Sequence, residues 1–154
     1  MKTTRLLAFL FVVPFACAQG SAADTPITAT GMLFIEFDVG EGNRMEGVNF
    51  AKFVPDAKSQ RLFPAVTSGK YAAPVRYISF EPAEQVLAAV VGADEAARLS
   101  HGTDSVIQIP VEIVLKNYRS EVECDAREYY ATLISAKQLG AYTVVTPDAL
   151  PDGC

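Results

Sequence analysis

The side chains best suited to chemistry lie between Phe50 and Phe80. Five bases, Lys52, Lys58, Arg61, Lys70 and Arg76, are interleaved there with Phe50, Phe53, Phe63, Tyr71, Tyr77 and Phe80, against the single acid Asp56. This stretch carries +4, whereas residues 24–49 carry −4 and residues 81–154 carry −7. Cations alternating with aromatic rings can pair with an anion and stack on a planar group. Lys52, Arg61, Lys70, Tyr71 and Arg76 are therefore the expected contact residues. An alternative stays open, in which the bases pair with the acidic flanks and the rings fill the core. The whole chain carries −5, which argues against a nucleic-acid partner, because tracking phosphates needs a basic domain.

No catalytic residue can be assigned. His101, the one histidine, sits beside Ser100 and near Ser105, but triad partners come from distant segments and neighbours at a helix end do not face each other. Cys124 lacks a C-x-x-C partner. Its surroundings, Glu121, Glu123, Asp125 and Glu128 against Arg119 and Arg127, disfavour the thiolate that reactive cysteines need. The oxygen donors from Asp38 to Glu46 sit on a glycine-rich loop but do not follow the twelve-residue calcium pattern. Gly40 and Gly42 are not followed by the Lys-Ser/Thr of a phosphate loop. No metal and no cofactor is expected. An enzymatic alternative is a small carboxylate-dependent hydrolase of envelope polymers, which requires two carboxylates at a fixed separation in one cleft.

Lys2 and Arg5 precede the apolar run Leu6 to Phe15, and Ala16-Cys17-Ala18 follows. A basic start, a short apolar core and an A-x-A site predict a signal peptide over residues 1–18. Ten residues fall short of the ~20 a spanning helix needs, so no transmembrane segment is expected. The predicted location is periplasmic or secreted. Cys17 offers a different outcome, an acylated cysteine and a lipid-anchored envelope assembly component. Removal of residues 1–18 leaves 11 basic and 18 acidic groups, a net −7, and two cysteines, Cys124 and Cys154. In an oxidising compartment these two are expected to pair. The chain-entropy account gives such a loop roughly 3–4 kcal/mol.

These groups must be held by a scaffold. Leu33, Ile35, Phe37 and Val39 alternate with Glu36 and Asp38, the period of a half-buried strand over 27–39. Residues 48–54 read as its hairpin partner, and residues 61–66 and 74–80 as two short strands. Val86, Leu87, Val90 and Val91 have helical spacing within 82–91, ended by Gly92, and a second short helix fits 94–99. Ile107, Ile109, Val111, Ile113 and Leu115 predict a long strand with one dry face, and Pro110 predicts an edge or a bulge in it. Residues 127–134 and 142–145 supply two more strands. The expectation is one α+β domain over 24–154. It has a mainly antiparallel sheet of six or seven strands, one helical segment (82–99) and a disulfide-tethered C-terminal tail. A partly open OB-like barrel, with its helix between strands three and four, fits the same order.

From Val106 onward the pattern resembles the surface-adhesin E-like domains of bacterial envelope proteins. The residues that carry it are the strand Val106 to Leu115, Glu121-Val-Glu-Cys-Asp-Ala-Arg-Glu-Tyr129, and Val145-Thr-Pro-Asp-Ala before Cys154. The likeness covers the C-terminal third, and the chain departs from the pattern in lacking tryptophan. It implies an envelope binding domain in which Cys124 and Cys154 are bridged, and it carries no catalytic residues. Taken together, the residues lead to a non-enzymatic binding or inhibitory module. Its expected partner is an envelope protein or an anionic envelope ligand.

Overall fold

The computed structural model describes residues 25–39, 45–101 and 106–150. The expected signal peptide, Cys17, the 40–44 loop tip and Cys154 lie outside the described residues. The elements are β1 (Ile27–Val39), β2 (Met45–Pro55), β3 (Ile78–Phe80), α1 (Ala83–Val91), α2 (Ala93–Ser100), β4 (Val106–Glu123), β5 (Ala126–Gln138) and β6 (Thr143–Val144). They form a strand-rich α+β fold whose six strands share one sheet in the order β1-β2-β3-β5-β4-β6. The sheet is mixed where a mainly antiparallel one was expected: β3 and β5 run parallel, pairing Ser79 with Tyr130 and Phe80 with Ala131.

β1 does most of the joining. Its residues 27–36 pair with β4 and its residues 31–39 with β2, both antiparallel. The succession of pairings β1-β2-β3-β5-β4 therefore returns to β1. At Gly31, where the strand first meets β2 as well as β4, a Cβ would lie 2.2 Å from the Val54 carbonyl oxygen and 2.8 Å from the Phe53 ring. Only glycine allows so close an approach.

The core is what the alternation requires. Ile107, Ile109, Val111, Ile113 and Leu115 of β4 are fully buried, as are Leu33 and Ile35 of β1, and Phe37 is nearly so. They meet Ala51 and Phe53 of β2 and Val86, Leu87 and Val90 of α1 in one cluster. α1 ends where Gly92 takes φ 87°, its N–H bonding the Ala88 carbonyl, and the Gly92 carbonyl then accepts from Ala96 to start α2. One glycine thus closes the first helix and opens the second.

Pro110 behaves as a bulge residue. Gln138 stands opposite Val111 and Thr143 opposite Gln108, so 139–142 bulge out against Ile109 and Pro110. The Pro110 carbonyl accepts from Leu139. In an antiparallel ladder a residue's N and C=O face the same neighbour, so the missing N–H points at the interruption, where no ladder bond is lost. β6 is in effect β5 resumed along the same edge of β4.

Two expected strands are corrected. Residues 61–66 do not form a strand; Ser59–Leu62 is a short 3₁₀ turn, and only an isolated bridge joins Val66 to Ala73. Of 74–80, only Ile78–Phe80 is a strand. The cause is local competition for hydrogen bonds. The Asp56 carboxylate accepts from the Ser59 amide at 2.7 Å, the Lys58 amide at 3.0 Å and the Thr30 hydroxyl at 2.5 Å, while the Thr30 amide donates to buried Ser59 Oγ. That knot starts a turn on the end of β2, and Pro64 and Pro74 supply no ladder donor.

The Thr30 hydroxyl, ahead of the Ser59 amide, holds the Asp56 carboxyl below the usual carboxylate range. A depressed carboxyl stabilises the fold above the unfolded value, about pH 4, and loses that contribution as pH falls through the folded value. The Arg98 side chain lowers Glu95 in the same direction. Thermal melts between pH 2 and 7 are expected to show a falling midpoint below pH 4. Asp56→Asn should lower the midpoint at pH 7 and converge on the wild type in acid.

Candidate binding cleft

One irregularity in β4 precedes the hairpin that carries the cleft. Lys116 pairs with Thr132 and Arg119 with Tyr130, so Asn117 and Tyr118 together oppose one residue of β5. Asn117 takes φ 54°, the left-handed conformation that asparagine accepts more readily than other side chains. Beyond this bulge β4 and β5 continue as a hairpin, turning at Cys124 and Asp125, both with positive φ (46° and 61°). Two such residues in succession make the tight turn a hairpin needs. Cys124 is exposed at the tip. Its expected partner is outside the described residues, and Val144 pairs with Ile107 at the opposite end of β4.

Residues 66–77 lie against this hairpin and are stitched to it. The Tyr129 hydroxyl donates to the Ala73 carbonyl at 2.7 Å and accepts from the Val66 amide at 3.0 Å. Arg127 Nε donates to the Tyr71 carbonyl at 3.2 Å. The Tyr118 ring stacks on Tyr129 at 5.9 Å between centroids, and Phe63 meets Tyr118 at 5.4 Å. Burial pushes the Tyr118 hydroxyl well above the ordinary tyrosine range.

Between the two walls is a cleft of about 380 Å³, within the size range of small-ligand sites. Lys70, Arg76 and Arg127 line it with the acids Asp125 and Glu128. Tyr71, Ala72, Ala73 and Pro74 make its apolar wall. Its acids are engaged by hydroxyls: Tyr71 donates to Asp125 at 2.8 Å, and Tyr77 donates to buried Glu128 at 2.6 Å. Lys70 Nζ donates to the Tyr71 hydroxyl at 2.7 Å. None of the three cations is in an ion pair with a described residue, and Arg76 has no hydrogen-bond partner among them either. A guanidinium free of carboxylates is a fork for two anionic oxygens.

The five expected contact residues separate. Lys70, Tyr71 and Arg76 line the cleft. Lys52 stands behind it, with Nζ 4.3 Å from the centroid of the Tyr77 ring and 4.6 Å from that of Phe50. Arg61 is exposed on the 3₁₀ turn and does not line the cleft. Sequence reasoning missed Arg127, Asp125 and Glu128 as site residues. They come from the acidic C-terminal segment, and only the hairpin brings them to the basic one. His101 is exposed at the end of α2.

Comparison with protein-family models, with curated proteins and with solved structures returned no match. No family is assigned. Function must therefore be argued from the cleft itself. Among the described residues no helix is long and apolar enough to cross a membrane. A second hollow of about 360 Å³ lies beside the end of β3, lined by Asn49, Phe50, Glu81, Glu84 and Tyr130 among others. Burial, ahead of Glu123, raises the Tyr130 hydroxyl above its ordinary range.

Proposed function

We propose that this chain is an exported, non-enzymatic binding module on an OB-like, partly open barrel, with the cleft between residues 70–77 and 125–129 as its contact face. The succession β1-β2-β3-β5-β4-β1, with its helices between β3 and β4, supports the barrel reading. The predicted signal peptide supports export to the periplasm or beyond, and the adhesin E-like resemblance agrees with an envelope role. The observation that carries the reading is the division of labour in the cleft. Asp125 and Glu128 accept from tyrosine hydroxyls, while Lys70, Arg76 and Arg127 have no ion-pair partner among the described residues. Such a surface suits an anionic ligand or the acidic face of a protein.

The test is retention on immobilised envelope fractions. The wild-type domain is expected to be retained in a salt-sensitive manner, and Arg76→Glu is expected to lose at least tenfold in retention with an unchanged melting midpoint. Equal retention of the two proteins would remove the cleft from the account.

One observation favours a second reading, the small carboxylate-dependent hydrolase. Exposed Asp125 and buried Glu128 share this cleft in contrasting surroundings, as paired carboxylate catalysis needs. Turnover of an envelope polymer that Glu128→Gln abolishes would establish it.

A further inference from the structure

We infer that the ligand of this cleft is a carboxylate-bearing saccharide, an inference that rests on the cleft being the binding face. A bare anion such as phosphate would meet the guanidinium of Arg76 but also the carboxylates of Asp125 and Glu128, and it brings no donor to satisfy them. Each carboxylate gives one oxygen to a tyrosine hydroxyl, Asp125 Oδ1 to Tyr71 and Glu128 Oε2 to Tyr77, and keeps a second. Those second oxygens are acceptors in a site whose charged partners, Lys70, Arg76 and Arg127, are donors. A ligand complementary to both sets carries an anion and several O–H donors close together.

A uronic acid has that composition, with a carboxylate on one edge of the ring and hydroxyls around the others. Its carboxylate would pair with Arg76, whose fork has no partner among the described residues. Its hydroxyls would donate to Asp125 and Glu128, and its C–H face would lie on the wall formed by Tyr71, Ala73 and Pro74. The volume near 380 Å³ lies within the range of small-molecule sites. Neutral sugars satisfy the acids but leave Arg76 unpaired, and simple anions do the reverse. The cleft therefore discriminates by requiring both features in one ligand.

The test is calorimetric titration of the exported chain with tetragalacturonate, its fully methyl-esterified form and inorganic phosphate. Tetragalacturonate is expected to bind, with affinity at least tenfold above the methyl ester and above phosphate. Arg76→Gln should cut that preference for the acid over the ester to under threefold. Asp125→Asn should weaken the oligosaccharide and strengthen phosphate, and both variants should keep the wild-type melting midpoint. Absence of tetragalacturonate binding, equal binding of acid and ester, or phosphate as tight as the oligomer would each overturn the inference. If Arg76-dependent retention on envelope fractions persists while the saccharide fails, the binding-module reading stands and only the ligand class falls. If that retention fails too, both fall together.

Discussion

Gly31→Ala is expected to destabilise the fold by about 3 kcal/mol, the upper end of the usual cost of forcing atoms into a packed site. The added methyl would stand 2.2 Å from the Val54 carbonyl oxygen and under 3 Å from two atoms of the Phe53 ring. The first of these is backbone and cannot swing away. Relief requires β1 and β2 to part where β1 is held by β2 on one side and β4 on the other. Strain there loosens the pairings that bring the succession of strands back to its start. At a few degrees per kcal/mol for a chain of this size, the melting midpoint should drop by about 10 °C. Gly69→Ala provides the comparison: its Cβ would meet nothing within 4 Å, although its φ of 94° adds some strain. Calorimetry on the two variants checks this, and a Gly31→Ala midpoint within 2 °C of wild type would contradict it.

Tyr129→Phe should have the next largest effect. One hydroxyl serves both sides of the loop that walls the cleft, accepting from Val66 N and donating to Ala73 O. Its removal leaves an amide and a carbonyl short of a partner, and such groups cost about 1–3 kcal/mol each where burial keeps water away. These are part-buried, so a loss of about 2 kcal/mol is expected. The ring contacts with Tyr118 should survive, because Phe keeps the same stacking face. The loss is therefore localised: hydrogen exchange should quicken first at the Val66 amide, which loses its acceptor, and leave β4 near Ile109 unchanged. Ligand retention should fall with it, since Lys70, Tyr71 and Arg76 are all carried by or adjoin the loosened loop.

The sequence was most informative where structure is local. Five aliphatics at every second position from Ile107 to Leu115 announce a buried strand face because burial selects that period directly. Gly92 announces a helix end because few other residues take its φ. The expected strand over 61–66 does not form because Asp56 competes for backbone donors, and that capping knot depends on Thr30, 26 residues away. Neither the parallel pairing of β3 with β5 nor the resumption of β5 as β6 leaves a periodic trace, since both are choices of partner between distant segments.

The site was half legible for the same reason. Charge segregation singled out Lys70, Tyr71 and Arg76 because they cluster in sequence, and these three line the cleft. Arg61 belongs to that cluster and not to the cleft, because the 3₁₀ turn carries it elsewhere. Arg127, Asp125 and Glu128 sit in a segment whose net charge is acidic, and their place in the cleft follows from the Cys124-Asp125 turn. An asparagine at position 117 was visible in the sequence; its left-handed backbone was not.

The most direct measurement is amide chemical-shift mapping on the isotope-labelled chain as envelope extract is titrated in. The account predicts that the perturbed amides concentrate in residues 69–77 and 125–129 and that Arg76→Glu abolishes the shifts while leaving the free spectrum largely unchanged. Perturbations confined to another face, or unaffected by that substitution, would contradict the assignment of the cleft as the binding site.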